Sequence, residues 1–311
     1  MPLITTSIYN ALAGALKGWI RRSAVGKGTL GIDATADGQH MVGLESGTIW
    51  LSHDKGVSYT SSPADTSGSG CAISDDGQII IAGSQSTNKL LISKNGGTSW
   101  TSNTTALFGA NGLTVGMSDT GQYMTLSIQS SSGRLSISND YGVTFQLKQT
   151  VPTSGIIWGC AVSGDGKYMY GTMSSTNIQR SADFGATWQA VANTAALGCD
   201  GYIAVSGDGR VVAACSGVTK IYVSRDYGAT FSLSLSKSAG MGSGIFVSGD
   251  GTTIFATDNT GEGFISRDSG LTWNGTGGTA AGVSPGLAST KGAWISPNGS
   301  EVRVINYTYY T

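Results

Sequence analysis

Short apolar runs with a two-residue period recur along the chain. Apolar side chains alternate at Cys160 and Val162, at Ile203 and Val205, and at Ile245 and Val247. The positions between are Ala, Gly or similar in most runs, which fits strands crowded on both faces. Each run leads through a residue that is Ser in most copies to a turn ending in Gly. The turns are Ala36-Asp37-Gly38, Asp75-Asp76-Gly77, Asp119-Thr120-Gly121, Gly164-Asp165-Gly166, Gly207-Asp208-Gly209, Gly249-Asp250-Gly251 and Pro297-Asn298-Gly299. Asp-Gly and Asn-Gly supply the positive φ angles of a tight hairpin.

A second pattern follows six of these turns: an octet Ser-x-Asp-x-Gly-x-Thr/Ser-aromatic. The copies run Ser52–Tyr59, Ser93–Trp100, Ser138–Phe145, Ser181–Trp188, Ser224–Phe231 and Ser266–Trp273. Their third positions, Asp54, Asn95, Asp140, Asp183, Asp226 and Asp268, stand 41, 45, 43, 43 and 42 residues apart. A period of about 40–45 residues is what four short strands and their turns consume, so each repeat reads as a propeller blade. In the fifth, strand A is placed at about Tyr202–Ser206, B at Val211–Ser216 and C at Lys220–Ser224, with D beginning at Thr230.

Seven turns against six octets imply seven blades, the last incomplete in sequence. Its strands A and B are placed around Ala293–Ser296 and Glu301–Tyr309, and Leu3–Tyr9 is expected to complete it, leaving no open edge. A helix is expected over roughly Ser7–Ala24, where Ile8, Leu12, Ala15, Leu16, Trp19 and Ile20 share one face. The expected fold is all-β: a seven-bladed β-propeller of four-stranded antiparallel blades, its last blade closed by the N-terminal strand, plus a short N-terminal helix. Residues 1–28 are expected to form the closing strand and helix, the helix either docked on the propeller base or serving as an anchor or oligomer contact, and 29–311 the propeller.

Composition narrows the function. Charged residues make up 12% and the net charge is −1, which argues against nucleic acid as a partner. The charge is uneven: residues 1–32 carry Lys17, Arg21, Arg22 and Lys27 with no acid, leaving −5 on the remainder. No apolar segment is long enough to span a membrane, and the N-terminus lacks the features of a secretory signal. The expectation is therefore that the protein either stays where it is made or leaves by lysis as part of a particle, a virion or extracellular location being favoured over secretion. Cys71 and Cys160 align with Ile32, Val115, Ile203, Ile245 and Ala293, and Cys215 lies in an apolar strand. These thiols read as buried and reduced, with Cys199 alone in a loop.

The six octets resemble the Asp-box, or BNR repeat, of sialidase-like propellers, a group that also includes sorting receptors and photosystem assembly factors. The resemblance covers about residues 30–311. It implies a structural role for the octet acids, whose carboxylates satisfy hairpin N–H groups while the last aromatic inserts between sheets. It does not bring the sialidase catalytic set with it. The Arg-Ile-Pro motif is absent, no three arginines converge, and the only glutamates, Glu45, Glu262 and Glu301, have no evident tyrosine partner. No cofactor is implied. With only His40 and His53, both read as surface residues, no histidine-centred acid/base or metal site is suggested.

Turns and octets should lie at one end of the ring, so the B–C and D–A loops lie at the other. The longer B–C loops are rich in Ser, Thr, Asn and Gln. Gln85, Asn88, Gln129, Asn177, Asp258, Asn259 and Glu262, with Trp158 as a ring platform, are the ligand-binding candidates there. The leading expectation is a non-catalytic recognition or structural module that binds a glycan or cell-surface receptor, or other virion or assembly proteins. The alternative is a divergent glycoside hydrolase of the sialidase-like type, using acids such as Asp200, Asp258 or Glu262 held about 5–10 Å apart.

Overall fold

The computed structural model describes residues 29–304, except 46, 67, 85–88, 104–112, 129–132, 149–156, 174–177, 199–200, 217–218, 238–240, 259–262, 276–292, 296 and 300–301. The expected closing strand Leu3–Tyr9 and helix Ser7–Ala24 lie outside the described residues.

Six four-stranded antiparallel sheets follow one another along the chain. The first holds β1 (Thr29–Ala34), β2 (Met41–Glu45), β3 (Gly47–Ser52) and β4 (Thr60–Thr66). The second holds β5 (Gly68–Ile73), β6 (Ile80–Ser84), β7 (Lys89–Ser93) and β8 (Thr101–Asn103). The third holds β9 (Leu113–Met117), β10 (Met124–Ile128), β11 (Arg134–Ser138) and β12 (Gln146–Leu147). The fourth holds β13 (Ile157–Val162), β14 (Met169–Met173), β15 (Gln179–Ser181) and β16 (Gln189–Ala190). The fifth holds β17 (Ile203–Val205), β18 (Val212–Ser216), β19 (Lys220–Ser224) and β20 (Ser232–Ser236). The sixth holds β21 (Met241–Val247), β22 (Ile254–Asp258), β23 (Gly263–Ser266) and β24 (Asn274–Gly275). A two-stranded sheet, β25 (Ala293–Ile295) with β26 (Val302–Val304), comes last, and β25 touches both β21 and β1.

Strand placement follows the sequence pattern to within two residues in the fifth sheet. Its fourth strand starts at Ser232 rather than Thr230, because Thr230 is held inside the preceding hairpin. A single helical turn, α1 (Thr194–Leu197), was not expected. It leaves the fourth sheet after the Thr194 hydroxyl has bonded Val191 O and the Ile178 N–H.

The core is a series of apolar layers between successive sheets. Val42, Leu44 and Leu51 meet Ile73 and Ile80 between the first and second sheets. Tyr170 and Ile178 meet Val212 and Tyr222 between the fourth and fifth, and Phe255 meets Ile295 between the sixth and the last. Each fully buried aliphatic or aromatic side chain contributes about 1.5–3 kcal/mol. The layers also hold Cys71, Cys160 and Cys215, all buried; burial pushes the Cys71 and Cys160 thiols up, which keeps them protonated.

A second set of links ties the sheets together at the first turn of each repeat. Asp75 N donates to Asp119 O, Asp119 N to Gly164 O, Gly164 N to Gly207 O and Gly207 N to Gly249 O, each at 2.8 Å. Asp250 N continues the series to Pro297 O, and Ala36 N begins it on the Asp75 carboxylate. All seven turn glycines have positive φ, from Gly38 at 65° to Gly166 at 81°.

Candidate functional site

The six octets form one hairpin design, built from the buried first Ser. Ser52, Ser93, Ser138, Ser181, Ser224 and Ser266 are each 1% exposed. Each hydroxyl donates to the third-position side chain at 2.6–3.0 Å. It also accepts the N–H of the octet glycine at 2.8–2.9 Å, so the enclosed hydroxyl is satisfied in both directions. The same carboxylate or amide oxygen accepts the seventh-position N–H at 2.8–3.0 Å. In the five Asp copies the second oxygen takes the seventh-position hydroxyl at 2.5–2.6 Å. Those bonds stabilise the charged form and hold the carboxyls of Asp54 and Asp268 at about 2. Asn95 departs from the expected like-for-like replacement. Its Oδ1 accepts as the Asp oxygen does, but its Nδ2 donates to Ser99 Oγ, reversing one bond.

The fourth octet position fixes which way the hairpin faces. Its N–H donates to the residue after the turn glycine of the same sheet: Lys55 to Gln39, Gly96 to Gln78, Tyr141 to Gln122, Phe184 to Lys167, Tyr227 to Arg210 and Ser269 to Thr252. Turns and octets therefore share one end of every four-stranded sheet. The fourth residue takes a left-handed backbone each time, with φ from 56° at Ser269 to 63° at Gly96. A non-glycine residue there carries about 1–2 kcal/mol of strain, yet three sheets place an aromatic in it. The Tyr227 carbonyl is pinned by Tyr170 Oη at 2.9 Å and Arg180 Nε at 2.6 Å, while burial pushes the Tyr170 phenol well above its usual range.

These hairpins carry most of the exposed large hydrophobic side chains among the described residues. Among the described residues, eight large hydrophobic side chains are exposed, and six belong to octets: Val57, Tyr141, Val143, Phe184, Tyr227 and Leu271. The aromatic members form ladders across sheet boundaries. Phe184 lies over Tyr123, with ring centres 5.0 Å apart, and Tyr227 stacks on Tyr168 at 4.9 Å. The Lys167 ammonium and Arg180 guanidinium sit 5.2 and 5.6 Å from the Tyr168 ring centre, so two cations border the band.

The loop-end candidates are placed unevenly. Trp158 is the extra residue of a bulge in β13, between the pairs Ile157–Met173 and Gly159–Thr172, and is 38% exposed. Asp258 closes β22 and is 1% exposed, so it does not face solvent as a loop ligand would. Gln85, Asn88, Gln129, Asn177, Asn259, Glu262 and Asp200 lie outside the described residues. All six structural octet positions are together on the hairpin face.

The acid that the sequence reading missed is Asp33, on β1. Its Oδ1 accepts Ala34 N and its Oδ2 accepts Ile73 N of the second sheet, both at 2.9 Å. Burial, reinforced by the charges of Asp75 and Asp119, raises its carboxyl to about 7. A protonated carboxyl beside other acids suits general acid chemistry, but both oxygens here are engaged by backbone N–H groups. Its signal was legible: the aligned positions Ala72, Gly116, Ala161, Ala204, Phe246 and Trp294 are all uncharged, four of them small. An open groove of about 710 Å³ between β8 and the third hairpin is lined by Lys94, Asn95, Ser99, Thr101 and Asn103. Among the described residues, no group of three or more His, Cys, Asp or Glu side chains is arranged around a metal position.

No protein-family model and no curated protein matches the sequence. Solved structures do match, at a level that shows the β-propeller fold alone. A GH74 xyloglucanase from Xanthomonas campestris aligns over 92% of this chain with a TM-score of 0.67 and 15% identity. The chain spans about half of that enzyme, 52% of its length. YCF48 from Cyanidioschyzon merolae aligns over 82% of this chain and 87% of its own, with a TM-score of 0.57 and 14% identity. Hydrazine synthase from Kuenenia stuttgartiensis aligns over 93% and 99%, with a TM-score of 0.60 and 11% identity. YCF48 bound to D1 peptide also matches, at 14% identity and a TM-score of 0.57 over 80% of this chain and 82% of its own.

Proposed function

We propose that this chain is a non-catalytic binding module whose octet-bearing face docks a protein partner, in a virion or a comparable assembly. The observation that carries the reading is the placement of six of the eight exposed large hydrophobics on the octet hairpins. Exposed apolar side chains gathered on one face, with aromatic rings bordered by cations, suit a protein surface better than isolated apolar residues do. That a YCF48 propeller is known bound to a peptide makes a protein partner reasonable for this fold. The proposal includes the finer architecture: Asp-box blades, seven in number, with the two-stranded last sheet completed by Leu3–Tyr9.

A second reading places a glycan at the opposite end, on Trp158, and rests on the exposure of that ring at its bulge. One pair of selections separates the two. The purified protein is panned against a random peptide display library and probed on a glycan array. Enriched peptides that lose binding to the Tyr141→Ser/Phe184→Ser/Tyr227→Ser variant, but not to Trp158→Ala, support the octet face. A glycan signal abolished by Trp158→Ala and indifferent to the triple variant overturns it.

A further inference from the structure

The chain contains two histidines in 311 residues, and the fold brings them together. Met41 of β2 pairs with Ser52 of β3, so His40 and His53 are the next two residues outward, facing each other across the same hairpin. Their Nδ1 atoms are 2.8 Å apart and their ring centres 5.1 Å apart. One ring donates its Nδ1 proton and the other accepts it. His40 is seated: a methyl group placed on Gly77 of the second sheet would stand 2.8 Å from its Cδ2 and Cγ. His53 is exposed on the hairpin tip, while its backbone carbonyl accepts the Gln39 side-chain amide. One imidazole is thus seated by packing, and the other stands exposed on an anchored backbone, held by the ring–ring bond.

We propose that His40 and His53 form a chelating site for a divalent copper or nickel ion. Two nitrogens each about 2.0 Å from one metal stand about 2.8 Å apart at a 90° angle and about 3.3 Å apart at a tetrahedral one. The observed separation is that of a hydrogen bond, and it holds the two Nδ1 atoms close enough for a turn of His53 to place them at adjacent positions of a square-planar or octahedral ion; Cu²⁺ heads the affinity order for nitrogen ligands. The rings now face each other nearly head-on, so His53 turns about its side-chain bonds to bring both lone pairs onto the metal. The Nδ1 proton of the donor ring moves to its own Nε2 through solvent, a tautomer change within one ring. Water fills the remaining coordination positions. The bound ion would tie the first octet to its own sheet at the boundary with the second.

The test uses the full chain without a polyhistidine tag, titrated with Cu²⁺ alone and with Ni²⁺ alone. Calorimetry gives stoichiometry and affinity, and electron spin resonance counts the nitrogens on Cu²⁺. The expected result is one ion per chain with two imidazole nitrogens, and an affinity at least about tenfold lower in both His40→Gln and His53→Gln. Zn²⁺ should bind more weakly than Cu²⁺. Circular dichroism and Tm of the metal-free variants report whether they fold, and His53, at an exposed tip, gives the variant least able to disturb packing. No binding, binding unchanged in either variant, or a one-nitrogen signal overturns the site.

Discussion

Replacing Asp33 by Asn isolates the energetic effect of one half-buried carboxyl on the first strand. Asp33 has a folded-state pKa of about 7 against a usual 3.8. A raised carboxyl pKa means that its stabilising share is complete below about pH 4 and is lost as pH rises through 7. At about 1.4 kcal/mol per unit, the shift amounts to at most about 4 kcal/mol for a half-buried group, lost between pH 4 and 8. Asn carries no charge, so the variant should gain stability relative to the native chain across that window. One backbone N–H, that of Ala34 or Ile73, loses its acceptor in the variant, a pH-independent penalty of about 1–3 kcal/mol. The diagnostic is therefore the slope of the difference and not its sign at one pH. The octet acids, with lowered pKa values, act below pH 4 and cancel between the two chains. Urea titrations of both proteins at half-unit steps from pH 4 to 8.5 give the difference curve. A flat curve would refute a protonated Asp33 at neutral pH.

Three further outcomes test the hairpin design. Ser224→Ala removes the acceptor of the buried Gly228 N–H and should destabilise by about 1–3 kcal/mol, whereas Asp226→Asn, which copies the Asn95 arrangement, should stay below about 1 kcal/mol; both are read from urea midpoints. Gly97→Ala places a methyl 2.2 Å from Leu51 Cδ1 at φ 85° and should lose about 2–4 kcal/mol. Gly96→Ala next to it meets nothing closer than 3.5 Å and should lose only about 1 kcal/mol, for its left-handed backbone. Tyr141→Gly relieves similar strain and should leave Tm unchanged or higher while weakening peptide binding at the octet face; a Tm loss without a binding loss would make Tyr141 a packing residue.

The repeating parts of the fold were legible because they depend on local geometry. A Ser, an Asp and a Gly at fixed offsets close the same hairpin wherever they occur, and the turn glycines announce their own φ angles. Strand C of the fifth sheet, Lys220–Ser224, falls where the pattern placed it. What depends on the register between strands was harder to see. His40 and His53 read as separate surface residues until Met41 is paired with Ser52, and then they must face each other. Tyr141, Phe184 and Tyr227 were visible as variable octet residues. Their exposure follows from the left-handed backbone that turns them outward, which composition does not reveal. Asp33 was passed over because its strand looks apolar, although its uncharged counterparts in the other sheets mark it as the exception.

The octet closes through its first, third, fifth and seventh residues; the fourth contributes a main-chain N–H in every copy, and its side chain packs or bonds on the neighbouring turn only in some, as at Phe184, Tyr227 and Ser269. That position is accordingly occupied by Lys55, Gly96, Tyr141, Phe184, Tyr227 and Ser269 on hairpins of the same design. The six tips behave as an addressable panel on a fixed mount. Each can be rewritten for a different partner without touching the Ser-Asp-Gly-Thr bonds that close the hairpin beneath it. An engineered binder could therefore be evolved from this chain by randomising six non-adjacent codons.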